Sequence, residues 1–464
     1  MSDSAGASSG GYDIVILGGG SGGYACALRA AELGKRVALI EEDKVGGTCL
    51  HRGCIPTKAL LHAAEVADYA HDGPSLGVNT RLDGIDMNGV NSYKDKVVTR
   101  LWKGLTGLVA SRKIEVIEGH GRLISPTSVQ VGDAVITGEH VVLATGSQTR
   151  SLPGLVPDGN RVITSDHALQ LDHVPASAVI LGGGVIGVEF ASVWRSFGAE
   201  VTIVEMMPHL VPTEEESSSK LLERAFRRRG INFRLGTRFE SVKDTGNGVT
   251  VTLEGGATIE AELLLVAVGR GPVSAGLGYD EVGVAMDRGF VLVDELCRTN
   301  LPTISAVGDL RPGLQLAHVG FAEGIMVAER LAGLPVVPID YDGVPRITYS
   351  NPEVASVGIT SATAAARGIE VTEFTYDLAG NGKSQILQTS GAAKVIVSAG
   401  GGPTLGVHLV GAHVGDLIAE AQLIVNWEAV PNDVAQLIHP HPTQSEAIGE
   451  AFLALAGKPL HNHG

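Results

Sequence analysis

The chain has 464 residues, which suggests about three domains of ordinary size. Its formal net charge of −16 argues against nucleic acid or an anionic membrane as a partner, because binding to either depends on Lys and Arg. Four cysteines are too few for a disulfide scaffold, so we expect a reducing compartment, the cytoplasm.

The first eleven residues lack the basic start and apolar stretch of a secretory signal, and we expect them to form a disordered lead. The sequence contains no run of about eighteen apolar residues, so it predicts no membrane-spanning helix.

A glycine fingerprint for a dinucleotide follows an apolar, strand-like segment at residues 12–17. After an alanine-rich helical pattern, a second strand-like segment at 36–40 ends at Glu41. In dinucleotide-binding folds the glycines permit a tight turn and a close approach to pyrophosphate, and the acid binds a ribose hydroxyl. One such fingerprint is a weak signal. Its three glycines are Gly18, Gly20 and Gly23.

The same unit recurs, with strand-like segments at 178–181 and 201–204 and an acid at Glu205. In both copies the acid stands twenty-three positions after the first glycine, which makes the pair a strong signal for two bound dinucleotides. No Arg follows Glu205 to hold a 2′-phosphate, so we expect NAD rather than NADP. Alternatively, Glu205 is a solvated strand end. The glycines of this copy are Gly182, Gly184 and Gly187.

Two cysteines, Cys49 and Cys54, follow closely on the first fingerprint. In a regular helix this spacing separates the residues by about 7.5 Å along the axis, whereas a disulfide needs Cα atoms within about 7 Å. If they bond, the segment is therefore not an ideal helix. Gly53 permits a distortion, and Pro56 suits the first turn of a following helix, whose start would stabilise a thiolate on Cys54.

The alternative for these cysteines is a pair of buried thiols, the usual fate of cysteine in a cytosolic protein. A dinucleotide fingerprint directly before a thiol pair nevertheless favours a flavin-linked disulfide oxidoreductase. The first fingerprint would then hold the flavin beside the cysteines, and the second would hold the nicotinamide.

Further strand-like segments end in small residues at 141–147, 264–270 and 304–309. The last of these ends at Asp309, and an acid at such a position often binds a sugar hydroxyl. From residue 345 onward strand-like segments at 394–397 and 405–410 alternate with helical segments at 415–427 and 431–437, without a glycine fingerprint, which indicates a third domain.

A cluster near the end of the chain contains His441 and Glu446. Imidazole is the natural general base near neutral pH, and a carboxylate can orient its ring through the other nitrogen. Taken alone, the cluster is more often a loop or a metal-prone surface. Two His residues without a third ligand make a poor zinc site, so we expect no metal.

Together these motifs resemble the FAD-dependent pyridine nucleotide–disulfide oxidoreductases, from about residue 12 to residue 455. The resemblance implies an α/β protein with two Rossmann-like domains, for FAD and NAD, and a C-terminal α+β dimerisation domain. The expected boundaries are 1–150 with 273–345 for the FAD domain, 151–272 for the NAD domain and 346–464 for the interface domain.

The resemblance also assigns the residues of the site. Cys49 would meet the substrate, Cys54 would lie against the flavin, and His441 with Glu446 would serve the partner subunit's site. The positions expected to contact FAD are Gly18, Gly20, Gly23, Glu41, Thr48, Lys58, Thr145, Gly146, Asp309 and His318. Those expected to contact NAD are Gly182, Gly184, Gly187, Glu189, Glu205 and Gly269.

The implied activity is oxidation of protein-bound dihydrolipoyl groups, with electrons passing through the Cys49–Cys54 disulfide and FAD to NAD⁺. The expected partners are a second copy of the chain and a lipoyl-bearing acyltransferase or glycine-cleavage carrier. The alternative enzyme is an NAD(P)H-dependent reductase of a small thiol disulfide of the mycothione or glutathione kind. A flavin transhydrogenase is disfavoured because such relatives lack the cysteine pair, and a role in complex assembly is a further alternative.

Two departures from the family pattern leave the exact disulfide substrate open, and the first is expected to bear on redox potential or substrate access. Leu50, His51 and Arg52 fill the loop between the cysteines where Leu-Asn-Val is commoner, and Gly-Arg-Gly-Pro-Val stands at 269–273 in place of Gly-Arg-Arg-Pro-Asn. Neither removes a catalytic group, and no role beyond packing is predicted for Cys26 or Cys297.

Overall fold

The computed structural model describes residues 11–461, so residues 1–10 of the predicted lead lie outside the described residues. The described chain contains both helices and sheets, which confirms the predicted α/β class. Within this range no helix combines the length and the apolar character needed to cross a bilayer.

Fourteen α-helices occur between residues 11 and 461. In chain order they are α1 Ser21–Glu32, α2 Gly47–Arg52, α3 Cys54–Asp72, α4 Met87–Ser111, α5 Ser165–Ala168, α6 Val185–Ser196, α7 Glu216–Arg228, α8 Tyr279–Val282, α9 Ala317–Leu331, α10 Ser361–Ala366, α11 Gly382–Ile386, α12 Val414–Asn426, α13 Pro431–Val434 and α14 Glu446–Leu455. Short 3₁₀ turns lie at Gly73–Leu76, Gly308–Leu310 and Leu378–Gly380.

The same range contains twenty-four strands. They are β1 Tyr12–Leu17, β2 Val37–Glu41, β3 Glu115–Glu118, β4 Gly121–Ser125, β5 Ser128–Val131, β6 Ala134–Leu143, β7 Ser147–Thr149, β8 Val162–Thr164, β9 Ser177–Leu181, β10 Glu200–Val204, β11 Asn232–Arg234, β12 Phe239–Asp244, β13 Val249–Leu253, β14 Thr258–Ala261, β15 Leu263–Val266, β16 Arg270–Pro272, β17 Met286–Asp287, β18 Phe290–Val291, β19 Ile304–Ala306, β20 Arg346–Thr348, β21 Glu353–Gly358, β22 Val371–Asp377, β23 Ala392–Ser398 and β24 Thr404–Gly411.

The first of two compact units contains the chain up to Pro56, together with Ser92–Arg150 and Arg270–Ile339. Its main sheet has seven strands in the order β3-β2-β1-β6-β5-β4, with β19 pairing β6. The strands β1, β2, β3, β6 and β19 pair in parallel, as expected for a dinucleotide-binding fold. Helix α1 packs on α9 beside this sheet, and small residues on α1 allow the close approach.

The second unit contains Thr57–Asn91, Ser151–Gly269 and the chain from Asp340 onward. Its parallel sheet has the order β11-β10-β9-β15-β8, and the inner strands β9 and β15 are buried on both faces. Such strands consist of nearly continuous Val, Ile and Leu, as β9 and β15 do here.

The same unit carries a five-stranded antiparallel sheet of the order β20-β21-β24-β23-β22. Helices α12 and α14 cover it, and their buried apolar side chains, among them Ile418, Ile448 and Phe452, join those of β23 and β24 in one core. Strands paired antiparallel with helices on the sheet match the predicted α+β character of the C-terminal region.

The predicted elements agree with the structure to within a few residues, with one exception. The helix expected at 431–437 ends at Val434, since α13 spans Pro431–Val434. The three-domain boundaries stay a prediction, as the compact units number two and both are discontinuous.

A buried ion network connects the segment before α7 to the antiparallel sheet. The Nζ atom of Lys394 on β23 lies 2.9 Å from Glu215 Oε1 and 2.8 Å from Glu373 Oε2, and it donates to Ser361 Oγ at 2.7 Å. The side chains of Lys394 and Glu215 are only 11% and 6% exposed. Removing the ammonium would leave a carboxylate buried without its cation, which is costly.

We therefore expect Lys394→Met to destabilise the protein by about 3 kcal/mol or more, the usual cost of breaking a buried ion pair. The matched control is Lys220→Met, whose ion pair with Glu216 is 60% and 61% exposed and should contribute little. Urea unfolding followed by circular dichroism would compare the midpoints. Equal midpoints for the two variants would contradict the structural role of Lys394.

Candidate active site

The first glycine fingerprint forms the turn between β1 and α1. Gly18 has φ +104°, and a Cβ there would lie 2.4 Å from the carbonyl oxygen of Ala144. A Cβ on Gly23 would lie 1.9 Å from the carbonyl oxygen of Gly18, so both positions exclude a side chain. By contrast, a Cβ on Gly20 would meet no atom within 4 Å. The middle glycine therefore borders open space at the start of α1.

The second fingerprint repeats this geometry between β9 and α6. Gly182 has φ +105°, and its Cβ would lie 2.3 Å from the carbonyl oxygen of Ala267. A Cβ on Gly187 would lie 1.9 Å from the oxygen of Gly182, and one on Gly184 would meet nothing within 4 Å. Neither α1 nor α6 has a side-chain cap at its N-terminus. Each helix therefore presents backbone N–H groups to an open space that suits pyrophosphate.

The two acids at the strand ends are held in the same way. Glu41 accepts the N–H of Gly19 at 2.7 Å and that of Asp43 at 2.9 Å. Glu205 accepts the N–H of Gly183 at 2.6 Å and that of Met207 at 2.7 Å. Each carboxylate oxygen is thus fixed by one backbone donor and has lone pairs left for a ribose hydroxyl.

A cavity of about 300 Å³ lies beside Glu41 in the first unit. Helix α4 forms one wall and the segment after β2 forms another. Its lining residues are Glu41, Asp43, Lys44, Val45, Trp102, Thr106, Val109, Ala110, Ile114, Val116 and Glu118. The cavity provides room next to the carboxylate predicted to hold the adenosine ribose, so the residues present fit the adenosine end of a dinucleotide.

The two cysteines lie on either side of a break between helices. Helix α2 ends at Arg52, Gly53 has φ −145° and ψ −110°, and α3 begins at Cys54. The segment is therefore not a continuous helix, as a Cys49–Cys54 disulfide would require, and Gly53 is the point of distortion. The disulfide itself stays a prediction. Both cysteines are partly buried.

His51 and Arg52, which lie between the two cysteines, contact neighbouring residues. His51 Nε2 lies 3.1 Å from the carbonyl oxygen of Val45, and its ring meets the edge of Trp102 at 6.0 Å between centroids. Arg52 forms an exposed ion pair with Asp43. These residues replace the commoner Asn-Val, and their contacts hold the loop against the wall of the cavity.

A tyrosine that the sequence analysis did not identify lies near the cysteines. Burial, together with the charges of Cys49 and Cys54, raises the pKa of Tyr24 to about 12. The Tyr24 ring also packs on Phe321 at 5.5 Å between centroids. Nothing in the sequence pattern separated this residue from the other apolar positions of α1, because its proximity to the cysteines arises only when the chain folds.

The turn after β6 and the turn after β19 meet in the first unit. Thr145 donates its hydroxyl to the carbonyl oxygen of Val273 at 2.6 Å and lies 3.1 Å from the hydroxyl of Tyr279. Gly146 follows with φ +68°, a conformation that favours glycine. Ser147 Oγ donates to Asp309 Oδ2 at 2.5 Å. The fold thereby brings together Thr145, Gly146 and Asp309, which the sequence placed far apart.

Thr48 also belongs to this region of the first unit. The Arg270 guanidinium donates to its Oγ1 at 3.4 Å, and His318 is the second residue of α9, the helix that contacts the turn carrying Asp309. In the second unit, Gly269 follows β15 with φ +107°.

In the second unit a buried ion pair forms between Lys58 on α3 and Glu189 on α6. The Lys58 Nζ atom lies 3.0 Å and 2.9 Å from the two carboxylate oxygens, and the Glu189 side chain is only 3% exposed. Tyr349 donates its backbone N–H to Glu189 at 2.9 Å, and its ring lies 4.6 Å from the Lys58 ammonium. The pair therefore joins Lys58, expected to contact FAD, with Glu189, expected to contact NAD, and Tyr349 is a third member that the sequence did not reveal.

The predicted His–Glu pair lies in the second unit, at the start of α14. His441 Nδ1 is 2.8 Å from Glu446 Oε1, and Glu446 Oε2 accepts the N–H of Thr443 at 2.8 Å. Although burial raises the pKa of Glu446, these two hydrogen bonds hold it below its usual value. The imidazole is 77% exposed, so most of the ring is uncovered by the chain that carries it. The cysteines belong to the other unit.

His441 stands in a segment that also contains His439, and histidines are common metal ligands. Between residues 11 and 461, no group of three or more His, Cys, Asp or Glu side chains is arranged to hold a metal ion.

Comparison with known families and proteins places these features in context. Residues 12–324 match the family described as pyridine nucleotide-disulphide oxidoreductase, and residues 344–452 match its dimerisation domain. A dihydrolipoyl dehydrogenase of Bacillus subtilis (strain 168) is 41% identical, covering 97% of this chain and 99% of that protein. A mitochondrial dihydrolipoyl dehydrogenase of Pisum sativum is 39% identical, covering 97% of this chain and 92% of the relative.

Two solved structures are also similar. LpdA from Mycobacterium tuberculosis has a TM-score of 0.89 at 29% identity, covering 95% of this chain and 99% of that chain. The HOCl-induced flavoprotein disulfide reductase RclA from Escherichia coli has a TM-score of 0.85 at 30% identity, with the same coverage. The predicted resemblance is confirmed: the chain belongs to the pyridine nucleotide–disulphide oxidoreductases.

Proposed function

We propose that this chain is a dihydrolipoamide dehydrogenase, which oxidises protein-bound dihydrolipoyl groups and transfers two electrons to NAD⁺. The observation that carries the proposal is the position of Cys49 and Cys54 on either side of the helix break at Gly53, directly after a dinucleotide fingerprint. The relatives that are named dihydrolipoyl dehydrogenase are 36–41% identical over almost the whole chain, which supports the same assignment.

The cofactors are FAD and NAD, as the family requires. We assign FAD to the fingerprint of Gly18, Gly20 and Gly23, because it precedes the cysteines, and NAD to the fingerprint that ends at Gly187. Bound FAD would supply the two-electron relay between the cysteine pair and NAD⁺. Glu41 and Asp309 would hold its ribose and ribityl hydroxyls.

The exchange step takes place at Cys49. One thiolate of the dihydrolipoyl group attacks Cys49 Sγ of the Cys49–Cys54 disulfide, forms a mixed disulfide and releases Cys54 as a thiolate. The second lipoyl thiolate then displaces Cys49, which leaves an oxidised lipoyl disulfide and a reduced cysteine pair. Two electrons and two protons have moved from the substrate to the protein, and the N-terminus of α3 stabilises the negative charge on Cys54.

The proton released by the dihydrolipoyl thiol needs a base. The exposed imidazole of His441, oriented by Glu446 through Nδ1, has the geometry for this role at Nε2. The dimerisation domain supports a homodimer, and we propose that the dyad of one subunit serves the cysteines of the other. A monomer would then be inactive.

Nucleotide choice depends on Glu205. Its carboxylate is fixed by two backbone donors and would repel a 2′-phosphate, and the following Met206 and Met207 supply no cation. We therefore propose NAD⁺ as the acceptor, which distinguishes this chain from an NADPH-dependent reductase of a small thiol disulfide. That alternative has weaker support, since the similar disulfide reductase RclA is 30% identical.

The physiological partner on this proposal is a lipoyl-bearing acyltransferase of a 2-oxoacid dehydrogenase complex, or a glycine-cleavage carrier. We also propose a cytoplasmic location, because the chain uses few cysteines and places Cys26 and Cys297 as buried residues.

The direct test is steady-state turnover of dihydrolipoamide by the purified flavoprotein. We expect NADH formation with NAD⁺ and none with NADP⁺. Cys54→Ser should abolish turnover while FAD stays bound, whereas Cys26→Ala, at a buried position, should keep it. Lipoamide turnover by Cys54→Ser would exclude the proposed exchange. Activity only with NADPH and a small thiol disulfide would favour the alternative enzyme.

The assignment of the two nucleotides can be tested with a matched pair of substitutions. A side chain at Gly20 or Gly184 meets no protein atom within 4 Å, so Gly20→Ala and Gly184→Ala should both fold. We expect Gly20→Ala to weaken FAD binding and Gly184→Ala to weaken NAD⁺ binding, because each Cβ occupies the space of a pyrophosphate. Fluorescence titrations would show this. The opposite pattern would reverse the assignment.

If the His441–Glu446 dyad of one subunit serves the cysteines of the other, two inactive variants should regain activity when they are combined in one dimer. His441→Gln should lower turnover by about 10²- to 10⁴-fold, the usual contribution of a general base. A heterodimer of Cys54→Ser and His441→Gln subunits contains one intact site if the dyad acts across the interface. Doubly tagged, purified heterodimers should then show about half the wild-type rate, because one of two symmetric sites is complete. If the dyad acts within its own chain, the heterodimer stays inactive.

A further inference from the structure

Arg270 donates hydrogen bonds to two other segments of the first unit. It begins β16, which pairs with β7 so that Arg270 stands opposite Thr149 and Pro272 opposite Ser147. Its guanidinium donates from Nε to Ser147 Oγ at 2.8 Å and from a terminal nitrogen to the Ser147 carbonyl oxygen at 2.6 Å. The same nitrogen reaches Thr48 Oγ1 at 3.4 Å.

The hydroxyl of Ser147 is hydrogen-bonded both to Arg270 and to Asp309. Because Arg270 donates to Ser147 Oγ, the Ser147 hydroxyl proton is directed to Asp309 Oδ2, which lies 2.5 Å away. The result is a chain of hydrogen bonds from the residue before Cys49 through Arg270 and Ser147 to Asp309. When ionised, Asp309 is an acceptor at both oxygens, so Oδ2 takes the Ser147 proton and Oδ1 is left as an acceptor for a ribityl hydroxyl.

We propose that Arg270 is a positioning residue for the flavin: through Ser147 it keeps Asp309 an acceptor for the ribityl chain, and through Thr48 it steadies the segment that carries Cys49. This inference rests on the role proposed for Asp309 and deepens it by naming the residue that maintains it.

Arg270 is the cation whose charge lowers the pKa of Asp309. Burial holds the pKa of Asp309 above its usual value, and the hydrogen bond from Ser147 and the charge of Arg270 offset only part of this rise. On the neighbouring turn and on α9, Arg311 pairs with Glu323, whose other oxygen accepts the N–H of Gly308 at 2.6 Å. That pair is neutral overall. Helix α9 also carries His318, close to its start.

The guanidinium group is suited to this arrangement because its donors lie in one rigid plane. Two of them meet the hydroxyl and the carbonyl oxygen of one residue, Ser147, and the third contact extends to Thr48. A lysine would keep the charge but could not reproduce this planar set of donors. Charge and geometry can therefore be separated by substitution.

The test measures FAD affinity of the apoprotein against pH by flavin fluorescence, in wild type, Arg270→Met, Arg270→Lys and Ser147→Ala. Loss of the cation lets Asp309 take up a proton at higher pH, and a protonated carboxyl no longer accepts the ribityl hydroxyl in the same way. Relative to wild type, Arg270→Met should therefore bind FAD about tenfold more weakly at the acidic end of the range than at the alkaline end.

Ser147→Ala should show the same pH trend to a smaller extent, and Arg270→Lys should keep the wild-type pH profile. The control Arg122→Met removes an exposed arginine, paired with Glu281, and should change nothing. In Asp309→Asn, added Arg270→Met should create no pH dependence. If Arg270→Met fails to fold, Ser147→Ala against Arg270→Lys tests the same point.

Parallel pH profiles for wild type, Arg270→Met and Ser147→Ala would overturn the inference, as would a pH trend in Arg270→Met that persists with Asp309→Asn. These outcomes are independent of lipoamide turnover. Failure of the proposed function would instead appear as a wild-type protein that binds FAD but does not reduce NAD⁺ with dihydrolipoamide.

Discussion

Each nucleotide-binding half depends on one close contact of backbone with backbone. A Cβ at Gly23 would lie 1.9 Å from the carbonyl oxygen of Gly18. A Cβ at Gly187 would lie equally close, 1.9 Å, to the carbonyl oxygen of Gly182. Only glycine permits the helix to start so close to the strand end. That proximity places uncapped N–H groups at a space left open by the middle glycine, so phosphate binding follows from packing.

Each unit also fixes polar contacts of its own, away from its glycine turn in the sequence. In the first unit the helix break at Gly53 separates the cysteines, and Arg270 connects the segment before Cys49 with Asp309. In the second unit the Lys58–Glu189 pair is held by the backbone of Tyr349. Within each unit these polar side chains are thus held by backbone groups and by one another, which fixes their geometry.

Much of this organisation could be predicted from the residues. The strands ending at Leu17 and Leu181, the acids Glu41 and Glu205, and the interruption at Gly53 follow from local patterns, because apolar runs, glycine spacing and a distorted cysteine segment are properties of neighbouring residues. The shorter α13, which ends at Val434, shows that a helical pattern alone does not determine where a helix ends.

The sequence by itself determined that the chain binds two dinucleotides, carries a thiol pair beside the first, and belongs to one oxidoreductase family. It could not determine which distant residues meet. Ser147 and Asp309 are 162 positions apart, and Lys58 and Glu189 are 131 apart, yet each pair is in hydrogen-bond contact. Such contacts depend on how the strands are ordered in their sheets, and no local pattern encodes that order. Only the tertiary structure therefore revealed the contacts of Tyr24, Tyr349 and Arg270, because those contacts are made with residues that are distant in the sequence.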